Sequence, residues 1–475
     1  MSARAAFIRF YCSYVLLCLC VSAARAVEPA PSSSSAPIEQ TALDRYLAKP
    51  DSSYAWKLVN TIHGDGLTTY VVDMTSQTWR TTEDVDRTEW KHWLVIAKPD
   101  GVSSSKAMLV ISGGSNRDGA PSGPGEMITQ FAKGTQTVTA ELRMVPNQPL
   151  IFGGDGKKRS EDDLIAYTWD KFMTTGDETW PARLPMVKSA LRAMDTIQAL
   201  VASDEGGGLT IDGFVVAGGS KRGWTTWLTG AVDPRVVAIV PIVIDVLNVQ
   251  VSMRHHHDAY GFWAPAVWDY VRHKITDRAE TPEYAALLKI EDPFEYRHRL
   301  TMPKFVVNAA GDEFFLPDSS QFYFDELPGE KYLRYVPNAK HSLAGTDARE
   351  SIEAFYQAIN SGRALPKFSW TKESDGSLHV TASDQPREVK LWQATNPKAR
   401  DFRLDTLGKA YQSSPLEADS SGLYIARVQA PSQGWTAFFV EMTYDGPGRY
   451  PFKFTTHVSV VPDVLPHKGE PLSKK

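Results

Sequence analysis

Four short, nearly apolar runs recur through the middle of the chain: AMLVIS at 107–112, FVVA at 214–217, VVAIVPIVI at 236–244 and FVVNA at 305–309. Runs with no polar alternation belong to strands covered on both faces. Stretches of helical spacing fall between them. Leu184, Val187, Leu191, Met194, Ile197 and Leu200, for example, step by three or four residues along one face. Further strands are expected over 54–62, 68–74, 90–97, 137–142 and 332–336, and a last helix over 348–360. This alternation, sustained over about 300 residues, predicts a mainly parallel sheet with helices on both faces.

The pattern breaks twice. Residues 246–300 form a Trp- and His-rich insertion, read as a cap over the site. Beyond Pro366, short strands separated by Gly, Pro, Asp and Ser predict a C-terminal β-sandwich domain over 366–475, which leaves 42–365 as the α/β domain.

At the start of the chain, Arg4 and Arg9 precede an apolar run from about Tyr11 to Val21, and Ala24-Arg25-Ala26 closes it with small residues. That is the pattern of a secretory signal peptide over 1–26, followed by a Pro/Ser-rich disordered linker over 27–41. The run is too short to favour a bilayer span. Cys12, Cys18 and Cys20 are the three cysteines, and all fall in the leader. An exported chain, periplasmic or secreted, therefore has no thiol nucleophile, disulfide or thiolate metal site. With 51 Lys+Arg against 56 Asp+Glu, mild acidity argues against nucleic acid or anionic membrane as a partner. No transmembrane span is expected in the mature chain, and no cofactor.

The strongest chemical signal is VVAGGSKRGWTTW at 215–227. A buried strand runs into Gly218-Gly219-Ser220 and a helix follows. In that setting a serine sits on a sharp strand-to-helix turn with its Oγ exposed above the sheet. Two residues after the serine, where a second glycine is usual, stands Arg222, with Gly223 one place later. As a turn alone, the segment needs only a capping serine. Chain order tips the reading, because the partners of such a serine follow as acid, then histidine, each after a later strand. The run at 305–309 ends in Gly311-Asp312-Glu313, and the strand at 332–336 leads into Asn338-Ala339-Lys340-His341.

Ser220, Asp312 and His341 are thus the expected catalytic triad on an α/β-hydrolase-like fold, with Glu313 and Asp318 as rival acids. His341 takes the Ser220 proton while Asp312 orients the imidazole. Oxyanion donors are expected from the backbone N–H of Lys221 and from Gly113-Gly114-Ser115-Asn116, where Gly114 or Ser115 donates. His255-His256-His257-Asp258 reads as a solvated or substrate-lining turn rather than a metal site, since consecutive side chains diverge and no distant ligand set accompanies them. Trp224 and Trp227 are expected to pack their helix on the sheet, and Glu161-Asp162-Asp163 to favour a helix N-terminus.

AGGSKRGWTTW, GDEFFLPD, PNAKHSL, ALDRYLAKPDSSYAWKL and EDDLIAYTWD together resemble the PhoPQ-activated pathogenicity-related protein family, which includes autocrine proliferation repressor relatives. The resemblance runs from about Ala42 into the C-terminal region. That family is similar to α/β-hydrolases, which implies the same Ser220, Asp312 and His341; its name describes context, not a reaction. The elbow also resembles the Gly-Cys-Ser-Arg elbow of glucuronoyl esterases, with Gly219 where that family has Cys. By that analogy Lys221 or Arg222 binds substrate, facing a carboxylate.

The combined reading is an exported serine hydrolase. It cleaves a small-molecule or carbohydrate ester, of an anionic, uronate-like kind, through an acyl-Ser220 intermediate. The alternative is a non-catalytic secreted binding or signalling protein on the same fold, engaging a cell-surface partner through its C-terminal domain. A peptidase reading lacks a propeller or an amine-binding acid pair.

Overall fold

A computed structural model of the chain describes residues 40–472. The signal peptide expected over 1–26, with the three cysteines, and the linker as far as residue 39 lie outside the described residues. Thr41 caps the first helix, Ala42–Ala48. Its hydroxyl accepts the Asp44 N–H, and the Asp44 carboxylate accepts the Thr41 N–H in return.

The central sheet has nine strands. Three of them, β1 (Ala55–Gly64), β2 (Leu67–Thr78) and β3 (Glu89–Pro99), form an antiparallel flank. β4 (Lys106–Ile111) and β5 (Thr139–Leu142) follow, and then a small separate hairpin of β6 (Leu150–Ile151) and β7 (Lys158–Arg159). The rest of the sheet is β8 (Gly213–Gly219), β9 (Val236–Ile242), β10 (Lys304–Ala309) and β11 (Lys331–Val336). In space the order is β1-β2-β3-β5-β4-β8-β9-β10-β11, and every pairing from β5 to β11 is parallel.

The apolar runs now have their reason. Along β4, Ala107, Leu109 and Ile111 join a core shared with helices Glu161–Thr175, Arg183–Ala202 and Lys221–Val232. Met108 and Val110 point the other way, into a core shared with helices Glu126–Thr135 and Ala348–Ser361. A strand whose alternate residues meet two buried layers has no place for polar side chains.

Parallel strands end on one edge. The register sets Ile111 beside Gly218, Gly219 beside Ile242, and Ala309 beside Val336. The loops after β4, β8, β10 and β11 therefore emerge together, where sites collect in such folds.

The insertion folds into helices Val249–Tyr260, Trp268–Arg272 and Pro282–Glu291 with 3-10 turns between and after them. His255, His256 and His257 are buried inside the first helix, not in the solvated or substrate-lining turn that was expected. Successive helical residues point about 100° apart, so each imidazole meets a different neighbour. His255 Nε2 lies 3.0 Å from the Asp318 carboxylate, and His256 Nε2 accepts the Ala264 N–H at 3.1 Å. Among the described residues, no group of three or more His, Cys, Asp or Glu is placed to hold a metal ion.

Beyond Pro366 come a three-stranded antiparallel sheet and a five-stranded one centred on strand Trp435–Tyr444. That strand is buried on both sides. Phe438, Val440 and Met442 enter one core, and Ala437 and Phe439 enter the other. The Thr455 hydroxyl accepts the Tyr335 N–H of β11, joining the C-terminal sheets to the edge of the central one. No helix among the described residues is long and apolar enough to cross a membrane.

Candidate active site

β8 delivers the chain to Ser220, where the backbone turns through φ 57°, ψ −127° before helix Lys221–Val232 departs. Such a conformation costs a non-glycine residue about 1–3 kcal/mol and persists only when its surroundings impose it. Here the Ser220 N–H donates to the Ile242 carbonyl at 2.8 Å, and the Trp224 N–H donates to the Ser220 carbonyl at 3.0 Å. A Cβ at Gly218 would stand 2.6 Å from the Arg222 carbonyl oxygen, and one at Gly223 would stand 2.9 Å from the Gly218 and Ile242 carbonyl oxygens. The close approach thus falls at Gly218 and Gly223. Arg222 lends it a backbone oxygen and sends its side chain elsewhere.

Asp312 and His341, from the loops after β10 and β11, meet directly. His341 Nδ1 lies 2.8 Å from Asp312 Oδ2 and 3.1 Å from Oδ1. Burial pushes the Asp312 carboxyl up from its ordinary value, opposed by His341 and by the Phe314 N–H that Oδ1 accepts at 2.8 Å. With Nδ1 turned to the carboxylate, Nε2 is buried and has no hydrogen-bond partner among the described residues, so no bond joins it to Ser220 Oγ. Such bonds often tighten only around a bound substrate. Phe314 links the two residues: its ring lies 4.4 Å from the imidazole, and it lines the same cavity as Ser220.

Both rival acids are engaged elsewhere. Glu313 accepts the backbone N–H of His341 at 3.0 Å. Asp318 takes Arg400 at 2.6 Å and His255 at 3.0 Å. Burial would raise Asp318, but Arg400 and His255 hold it far below the usual carboxylate range.

Of the expected oxyanion donors, the Lys221 N–H opens a helix and has no intrahelical acceptor. The Ser115 N–H is not free, because it donates to the Asp118 carboxylate at 2.8 Å. Of the two expected donors of that loop, this leaves Gly114. The loop sits against the elbow, since a Cβ at Gly113 would lie 2.6 Å from the Arg222 guanidinium.

Lys221 and Arg222, expected to face a substrate carboxylate, both have carboxylate partners within the protein. Lys221 Nζ pairs with Glu161 at 2.9 Å and Asp162 at 3.1 Å. Arg222 grips Glu161 through both terminal nitrogens, at 2.8 and 2.7 Å, and its Nε donates to the Val145 carbonyl at 2.5 Å. Two buried cations beside a serine require counter-charges, and the protein supplies them. Burial would raise Glu161, but Arg222 and Lys221 hold it well below the usual carboxylate range. Glu161 and Asp162, read from sequence as a helix start only, are site residues that the reading missed. The one available signal was an acidic run and a basic run of similar length in the same α/β domain.

Next to Ser220 lies a cavity of about 60 Å³ walled by Trp169, Trp224, Trp263, Tyr270, Phe314 and Phe315, among other apolar side chains. Much of the wall comes from the insertion. Its polar lining includes Lys221 and Asp162, and the Tyr270 hydroxyl lies 3.1 Å from the Asp162 carboxylate. Trp224 does more than pack on the sheet. Its Nε1 donates to the Glu291 carbonyl at 2.5 Å, and the Arg183 guanidinium lies 4.0 Å over its ring while pairing with the Glu291 carboxylate at 2.9 Å.

The strand order and the elbow between β8 and its helix define an α/β-hydrolase fold. The chain belongs to the PhoPQ-activated pathogenicity-related protein family, whose model it matches over residues 43–403. It is 40% identical over 460 residues to autocrine proliferation repressor protein A of Dictyostelium discoideum, covering 91% of this chain and 92% of that one. Among solved structures it is similar to acetyl xylan esterase 1 from Thermoanaerobacterium sp., at 12% identity and a TM-score of 0.46, over 68% of this chain and 93% of that one. It is also similar to a glucuronoyl esterase from Solibacter usitatus, at 14% identity and a TM-score of 0.40, over 67% of this chain and 91% of the other. Those two likenesses bear on no residue of the site.

Proposed function

We propose that this protein is an exported serine hydrolase that cleaves carboxylic esters through an acyl-Ser220 intermediate. The observation that carries the reading is the Asp312–His341 pair, its Nε2 unpartnered, on the same sheet edge as a serine held at an elbow. Nε2 accepts the hydroxyl proton as Oγ bonds the acyl carbon, and the N–H groups of Lys221 and Gly114 receive the developing oxyanion. The intermediate collapses with the C–O bond to the alcohol breaking, and the alcohol takes the proton from His341. Water then repeats the sequence and releases the acid and free Ser220. Because Lys221 and Arg222 already have carboxylate partners, the geometry favours an uncharged ester over a uronate-like one.

A fluorophosphonate probe tests this. Wild type is expected to label, while Ser220→Ala and His341→Ala are not; a folded wild type that stays unlabelled at neutral pH overturns the reading. That result would turn attention to the second reading, a secreted signalling protein that engages a cell-surface partner through its C-terminal region. Its support is the name of the Dictyostelium relative, which describes repression of proliferation.

A further inference from the structure

We infer that the cavity beside Ser220 is an acyl pocket for short, uncharged acyl groups, acetyl to butyryl, and that the insertion sets this limit. The inference rests on the serine hydrolase reading and names the substrate class of the same site.

The choice between acyl and alcohol follows from the order of events. The alcohol has to diffuse away while the acyl group stays on Ser220, so a small recess walled by side chains suits the group that remains. Ser220 and Lys221, which would hold the tetrahedral carbon between them, both line the recess. Its volume of about 60 Å³ sets the length. A cavity of about 150 Å³ accommodates benzene, so this one has room for roughly two or three carbons beyond the carbonyl. The wall does not give way easily. Trp224 is pinned by Glu291 and Arg183, and Trp263 packs against His256 at 5.6 Å between ring centres. Charge is also excluded. A carboxylate on the acyl chain would be buried among aromatic rings, with both cations that line the cavity already committed, Lys221 to Glu161 and Asp162 and Arg183 to Glu291.

The test is a series of p-nitrophenyl esters from acetate to octanoate, with the leaving group constant and Ser220→Ala as blank. Wild type should have its highest kcat/KM between acetate and butyrate and lose at least about tenfold by octanoate. Met253 lines the cavity from the insertion, and Met253→Ala should move the optimum to longer chains; Ile275→Ala, at a second lining residue, serves if that variant does not fold. Ser220-dependent hydrolysis that favours octanoate, or succinyl over butyryl esters, overturns the pocket while leaving the hydrolase reading standing. So does an optimum that no folded enlarging variant moves. No Ser220-dependent hydrolysis of any ester, together with no fluorophosphonate labelling, overturns both.

Discussion

The proposed nucleophile and its proposed relay are held by different means. Ser220 is fixed locally, by β8, the helix that follows it and the neighbouring β9. Asp312 and His341 lie on loops held from far along the chain. The Gly311 N–H donates to the Ala339 carbonyl at 3.1 Å, and the Leu404 N–H donates to the Gly311 carbonyl at 3.0 Å. So tight is this crossing that a Cβ at Gly311 would stand 2.9 Å from the Ala339 oxygen and 3.1 Å from the Leu404 nitrogen. Asn338 exchanges two hydrogen bonds with the Tyr411 backbone, at 2.8 and 2.9 Å, and Lys340 pairs with Asp405. Arg400 reaches Asp318, in the loop that carries Asp312. The segment 400–411 is thus part of the site's foundation, so damage to it should reach the acid and the base before it reaches the serine.

The largest expected effect comes from Arg400→Met, which removes the guanidinium from the buried Asp318 carboxylate and leaves it His255 and the Gln321 amide. Removing one partner of such a pair costs about 3–5 kcal/mol, a large share of a typical domain's stability. Urea unfolding should show the loss. Arg400→Lys should recover part of it, since the charge returns without the planar fork. At a temperature where the variant is folded, fluorophosphonate labelling should be slower than in wild type. A stability change under about 0.5 kcal/mol would mean that the segment does not hold the relay.

On the nucleophile side, Gly218→Ala places a methyl group 2.6 Å from a backbone oxygen. Overpacking of this kind costs about 1–3 kcal/mol, less than the loss of Arg400. Its effect on labelling should nevertheless be more severe, because the elbow can relieve the clash only by moving Ser220. Normal labelling in a folded Gly218→Ala protein would show that the serine tolerates an open elbow. The two variants therefore separate stability from geometry in opposite ways.

The same contrast governs what could be read from sequence. The elbow, the buried strands and the order Ser220, Asp312, His341 were legible because each is written in a contiguous stretch with its own pattern. The bond from Arg222 to Glu161 was not, since it joins residues 61 positions apart, in the first turns of two different helices. Three histidines inside a buried helix broke the apolar stripe that marks such helices, so the segment read as a turn. In the supporting segment helix Leu404–Leu407 is only one turn long, and strand Gln412–Pro415 just after it is exposed throughout, so neither carries a clear hydrophobic period.

Titration gives the last way to tell the two sides apart. On the serine side Glu161 is held low by its cations despite burial. Its stabilising contribution is present above its unfolded value, about pH 4, and is lost only as pH falls further. On the relay side Asp245, just after β9, is buried between the Tyr323 hydroxyl at 2.8 Å and the Tyr335 hydroxyl at 2.5 Å. Burial pushes its carboxyl up to about 8, against the pull of the two tyrosines. Between about pH 4 and its folded value the native protein keeps a proton that the unfolded chain has released, so stability falls as pH rises through that window and levels off above it. Asp245→Asn removes the titration and keeps an acceptor and a donor for the two hydroxyls. Unfolding free energies from urea titrations between pH 5 and pH 8 should fall in wild type by less than about 1.4 kcal/mol per pH unit, and should fall less in the variant. Parallel curves would mean that Asp245 is not the group that carries the pH dependence.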